Sequence, residues 1–154
     1  MNHLSLVKHK SKYSADYYLT FAIDGEPLED WLPKHDPQSE HELIVSLPEL
    51  YDEKETQLVW DRIYSTAPGW RTLVPLLVCP DDVDLTCTVI VVEQFSNERQ
   101  IQWCRFGLLI DAIEIDSPSV EWYGAIPGVI FDRQNFHEVL DEFREKENIV
   151  MYWD

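Results

Sequence analysis

The sequence predicts an α+β fold, a mostly antiparallel sheet with two main helices packed on it. Three observations carry that expectation. Two apolar, strand-like runs, Thr86 to Phe95 and Arg99 to Leu109, flank the short polar loop Ser96-Asn97-Glu98, and a hairpin joins its strands antiparallel. Two other segments, Glu53 to Tyr64 and the stretch after Asp132, place apolar residues at helical spacing. The chain has 154 residues with no repeat, low-complexity run or linker, which argues for one domain over 1–154.

The elements follow in order. Residues 1–15 are basic, with Lys8, Lys10, Lys12, His3 and His9 and no acid before Asp16; this arm is expected to fold against the acidic body. Asp16 to Asp24 reads as a strand, with Tyr17, Leu19, Phe21 and Ile23 on one face, and Asp24-Gly25 as the turn after it. Pro27, Pro33 and Pro37 restrict the next stretch to a short turn of helix around Leu28 to Leu32. His41 to Leu47 reads as a short strand. Asp52 is the expected N-cap of the Glu53–Tyr64 helix, and Glu53 and Glu55 sit in its first turn, where the dipole favours negative charge. Thr72 to Cys79 is a strand whose Pro75 marks an edge or a bulge. Thr86 to Phe95 is apolar on both faces and therefore central. Glu121 to Phe131 is extended but broken at Pro127-Gly128. In the last helix, capped by Asp132, Phe136, Val139, Leu140 and Phe143 fall on one face and His137 on the solvated side. The tail Ile149 to Trp153 is expected to dock as a short strand.

Charge sets the function class. There are 29 Asp plus Glu against 12 Lys plus Arg, a net of −17. Such a surface repels nucleic acid and anionic lipid and steers basic partners toward itself. It also argues for a monomer when free. The three cysteines, Cys79, Cys87 and Cys104, sit in apolar runs without a CxxC pair, which points to buried thiols in a reducing, cytoplasmic setting. No run approaches the ~18–20 apolar residues of a membrane helix.

Motifs for chemistry are sparse. No GxSxG, phosphate loop, GxGxxG, HExxH or Cys/His zinc spacing occurs, so the chain reads as a non-enzyme that needs no cofactor. The turn after Cys79 holds Asp81, Asp82 and Asp84, oxygen donors of the kind Mg²⁺ or Ca²⁺ takes. Counted from Asp82, the EF-hand glycine position is Cys87, so that loop is not formed; the simpler reading is a turn whose carboxylates bond nearby backbone N–H groups. Aromatics are the other signal. Trp31, Trp60 and Trp70 lie in or beside loops, Trp122, Tyr123, Tyr152 and Trp153 cluster late, and Trp103 belongs to the core. Trp and Tyr are enriched at protein interfaces because they combine apolar area with a polar handle.

Four segments, Phe21 to Leu28, Val78 to Val91, Trp103 to Gly107 and Ile126 to Asp132, together resemble bacterial immunity proteins of toxin–immunity systems, including those of contact-dependent growth inhibition. The resemblance implies a small acidic protein that binds and blocks a cognate toxin, often a basic nuclease, and gives no residue map. The expected contacts are Glu26, Glu29, Asp30, Asp81, Asp82, Asp84, Asp111, Glu114 and Asp116, with Trp122 and Tyr123 as aromatic anchors. Two other readings stay open: a metal-dependent enzyme using Asp81, Asp82 and Asp84, and an acidic structural or adaptor subunit.

Overall fold

A computed structural model describes residues 1–10, 16–36, 43–45, 50, 52–80 and 83–154. It is an α+β fold built on antiparallel sheets. The first sheet has three strands, β1 (Leu4–His9), β2 (Tyr18–Ile23) and β3 (Glu26–Pro27), in that order. The turn between β2 and β3 forms because Asp24 and Gly25 both take positive φ, 52° and 86°, and glycine reaches that region without a Cβ clash. Helix α1 (Leu28–His35) follows at once.

The second sheet has the order β4-β5-β6-β7-β8, with β9 also paired to β7. Its strands are β4 (Ile44–Val45), β5 (Arg71–Val78), β6 (Val89–Ser96), β7 (Gln100–Leu109), β8 (Val120–Trp122) and β9 (Val129–Asp132). β6 is central as its double apolar face requires, with Val89, Ile90, Val91 and Val92 all buried. The register of β5 shifts between Pro75 and Leu77, the bulge that the proline signals. β8 and β9 lie one after the other along the same edge of β7, pairing with residues 107–109 and 100–103. The break at Pro127-Gly128 separates them, and the backbone passes close there: a Cβ on Gly128 would sit 3.0 Å from the Cys104 carbonyl oxygen, a tight contact.

Helices α2 (Glu53–Ile63) and α3 (Arg133–Lys146) are the main helices. Asp52 and Asp132 cap them, accepting from the Lys54 and Asn135 backbone N–H groups. The apolar face expected of α3, Phe136, Val139, Leu140 and Phe143, is buried. Phe136 meets Trp103 of the large sheet edge to face, while Phe143 stacks on Phe21 of the small sheet, so α3 joins the two sheets in one core. The Asn135 amide adds to the joint by pairing with both the N–H and the C=O of Leu4. Asn2 completes it, since its backbone N–H donates to the Ile130 carbonyl and its Oδ1 accepts from the Ile130 N–H.

Several expectations are corrected. The basic arm contributes a strand, β1, whose Leu4 is buried. α1 runs past Leu32 to His35 and contains Pro33; it loses one intrahelical bond there, while Leu28, Trp31 and Leu32 bury its apolar side. β6 starts at Val89 rather than Thr86, because the Asp84 carboxylate accepts from the Thr86 N–H and hydroxyl and holds that stretch in bends. The tail forms a turn, closed by the Asp154 N–H on the Met151 carbonyl, and not a strand. Trp31 and Trp60 are helical and buried, whereas Trp70 is exposed. Cys79 and Cys104 are half-buried and Cys87 is exposed, so the thiols are not core residues. His137 is half-buried rather than solvated: its Nε2 lies 3.0 Å from the Thr66 hydroxyl, and its ring packs on Tyr64 and Phe136. Burial first, and then the charge of Arg133, hold its pKa below the ordinary histidine range. Of the expected strand from His41 to Leu47, Ile44 and Val45 are paired to β5; His41, Glu42, Ser46 and Leu47 lie outside the described residues.

Candidate partner-binding surface

The expected contacts divide into separate places. Glu26, Glu29 and Asp30 sit at β3 and the start of α1, and the first two spend their carboxylates on the fold. Glu26 pairs with Lys34 at 3.1 Å. Glu29 accepts from the Tyr18 hydroxyl at 2.5 Å and the Thr20 hydroxyl at 2.8 Å, tying α1 to β2. Burial raises its pKa against the lowering effect of those two bonds. Asp30 is exposed and faces His9 at 3.9 Å.

Trp122 and Tyr123 do not adjoin that group as a pair. Trp122 lies under the Arg105 guanidinium, 3.9 Å above its ring, on a sheet face where Glu93 bridges Arg71 and Arg105. Tyr123 is half-buried, and its N–H bonds the Phe106 carbonyl. Burial raises its pKa, with smaller contributions from Glu121 and Asp36.

Asp81 and Asp82 lie outside the described residues. Asp84 spends its carboxylate on Thr86, and these bonds lower its pKa. Among the described residues no group of three or more His, Cys, Asp or Glu side chains is placed to hold a metal ion.

Of the remaining acids, Glu114 reaches a corner beside α2, and Asp111 and Asp116 flank it on the same loop. Arg62 of α2 donates to the Leu73 carbonyl of β5 and the Ile113 carbonyl of the β7–β8 connection, both at 3.2 Å. That fork draws the connection, with buried Ile113 and exposed Asp111, Glu114 and Asp116, against the helix. Asp111 closes the same loop by accepting from the Ser119 N–H at 2.9 Å. Glu55 accepts from the Leu85 N–H and so ties the β5–β6 loop to the start of α2. Its pKa is raised, by burial first and then by the neighbouring charges of Asp84, Asp52 and Glu114. Four carboxylates from three separated segments therefore share one negative field.

Beside this field lies a shallow groove of about 340 Å³, lined by Gln57, Leu58, Asp61, Glu114 and Tyr152 together with Lys54 and Arg62. Its far wall is the C-terminal turn. The Gln57 amide holds that turn from both ends: Nε2 donates to the Val150 carbonyl at 3.0 Å, and Oε1 accepts from the Tyr152 N–H at 3.1 Å. The Asp154 carboxylate closes it, pairing with Arg144 and accepting from the Met151 N–H. Met151 is buried, while Val150 is 72% and Tyr152 75% exposed. Trp153 packs edge-on against Tyr64, whose hydroxyl donates to Asp141. Burial, and then that bond, push the Tyr64 pKa up.

Sequence reasoning marked Asp84, Asp111, Glu114 and Asp116 here but missed Gln57, Glu55 and Asp61. The signal for Glu55 was present, since it sits in the first turn of the predicted helix. Nothing in the sequence announces that Gln57 reaches residues more than 90 positions away. No family model, curated protein or solved structure matches this chain. No helix among the described residues is long and apolar enough to cross a membrane.

Proposed function

We propose that the protein is a protein–protein inhibitor of the immunity type, which binds a basic toxin and blocks it. The observation that carries this reading is the corner just described: exposed apolar and aromatic side chains on a hydrogen-bonded backbone, beside a concentrated negative field, in a chain of net charge −17. Acidic complementarity accelerates encounter with a cationic partner and rejects anionic competitors. Aromatic and apolar anchors supply the slow dissociation an inhibitor needs. Basic toxins that cleave nucleic acid use cationic clefts, and an acidic protein surface competes for such a cleft with the same charge as the substrate backbone.

The test is capture followed by neutralisation. Tagged protein is incubated with lysate from its own source cells and eluted with rising salt, and the retained protein is identified. The captured protein is then expressed in a naive host with and without this chain. A basic protein that is toxic alone and harmless in its presence supports the reading. A captured protein with no toxicity, or with toxicity that this chain leaves unchanged, rejects it.

A further inference from the structure

We propose that the groove between α2, the Ile110–Ser119 loop and the C-terminal turn receives one amphipathic segment of the partner, an apolar side chain flanked by Lys or Arg. The inference rests on the inhibitor reading and names the face and the chemistry it recognises.

The apolar component comes from the C-terminal turn. Tyr152 and Val150 are exposed although their backbone is held on both sides by Gln57 and closed by Asp154. An ordered backbone with exposed apolar side chains loses little further conformational freedom on binding, which favours affinity. Leu58 continues the apolar surface along α2, and the groove is open enough to admit side chains of a protein surface.

Charge complementarity selects the occupant. Asp61 and Glu114 line the groove, and Asp52, Glu55 and Asp84 lie beside it. The Arg62 guanidinium is bonded to the neutral Leu73 and Ile113 carbonyls and keeps its charge, so Lys54 and Arg62 together offset two of these five acids and the corner stays net negative. At β3 and α1, Glu26 is paired with Lys34, Glu29 is bonded inward to Tyr18 and Thr20, and only Asp30 is exposed, facing His9, so this group offers less free negative charge. A second copy of the chain is disfavoured because both faces would carry the same sign.

Fluorescence anisotropy with two labelled peptides tests the inference on the full chain. One is a Lys/Leu peptide patterned as an amphipathic helix, and the other is a Lys/Ser peptide of equal charge. The Lys/Leu peptide is expected to bind roughly tenfold more tightly. Tyr152→Ser is expected to remove most of that preference, and Asp61→Lys with Glu114→Lys to weaken binding by roughly tenfold. Glu98→Lys with Glu145→Lys, at exposed sites elsewhere, makes the same change in net charge and is expected to leave binding within about twofold. Thermal melts confirm that each variant folds. Equal loss in both double variants, or equal affinity for both peptides, overturns the groove and assigns binding to bulk charge. Self-association that Tyr152→Ser abolishes overturns it in favour of a second copy. If the toxin is captured and neutralised but groove variants hold it unchanged, the inhibitor reading stands and the groove falls. If the peptides behave as expected and no toxin is neutralised, the inhibitor reading falls and the groove remains.

Discussion

Replacing Arg62 by Met should loosen the acidic corner while the rest of the core stays intact. The guanidinium bonds two carbonyls at 3.2 Å, Leu73 on β5 and Ile113 on the β7–β8 connection. A hydrogen bond from a charged donor contributes about 1.5–3 kcal/mol, so two set an upper range of roughly 3–6 kcal/mol. Arg62 is half-buried and both bonds are long, and Met keeps the packing of the aliphatic stem. The expected loss is therefore about 2–3 kcal/mol, or roughly 5–10 °C in Tm for a domain of this size. Arg62→Lys should recover part of it, because an ammonium lacks the planar fork that serves two acceptors at once. The assay is a circular-dichroism melt paired with hydrogen exchange over residues 110–119. A Tm drop under about 2 °C with unchanged exchange in that loop would refute the role of Arg62 as the link.

Other perturbations reach separate parts of the structure. Gln94 is fully buried, accepting from Trp103 Nε1 at 3.0 Å and donating to the Ile63 carbonyl at 3.1 Å, so Gln94→Leu strands two buried partners. The expected cost is about 2–4 kcal/mol, read as a lower urea midpoint at constant m; a loss under about 1 kcal/mol would contradict the linkage of α2 to the sheet. Glu29→Gln tests the half-buried carboxyl that ties α1 to β2. Because its folded pKa is raised above the ordinary 4.5, its stabilising contribution is present below that value and lost as pH rises through the folded pKa. The difference in Tm between variant and wild type should therefore shift in favour of Gln between about pH 4 and about pH 7, and a shift the other way would show that burial does not dominate this group. Gln57→Ala removes both bonds to the C-terminal turn at a half-buried site. Global stability should fall by about 1 kcal/mol or less while the Tyr152 amide loses its protection from exchange; retained protection would mean that Asp154 alone holds the turn.

The sequence carried those parts of the fold that depend on local pattern. The hairpin of β6 and β7, the Pro75 bulge, both aspartate caps and the buried face of α3 follow from alternation, turn chemistry and helical spacing, each confined to a few residues. What was not legible depends on long-range pairing. The strand character of Leu4–His9 emerges only with β2 beside it, and the alternation of charge along Lys8 and Lys10 masks its apolar residues. His137 sits on the polar side of α3, but residues 64–66 cover it, a contact that helical spacing cannot register. The same limit governs the surface. Charge counting singled out carboxylates without distinguishing those turned inward, such as Glu29, from those turned outward, such as Glu114. Likewise Tyr152 was visible as an aromatic, and its presentation depends on Gln57.

Electrostatic steering of a basic partner is the central claim, and its association rate as a function of salt tests it most directly. The captured partner is mixed with wild-type protein and with the Asp61→Lys, Glu114→Lys variant in a stopped-flow instrument. The account predicts a wild-type association rate that falls at least about tenfold from low to physiological ionic strength, and a variant that is slower at low salt with a flatter salt dependence. An association rate that ignores salt, or one that the two reversals leave unchanged, would contradict it.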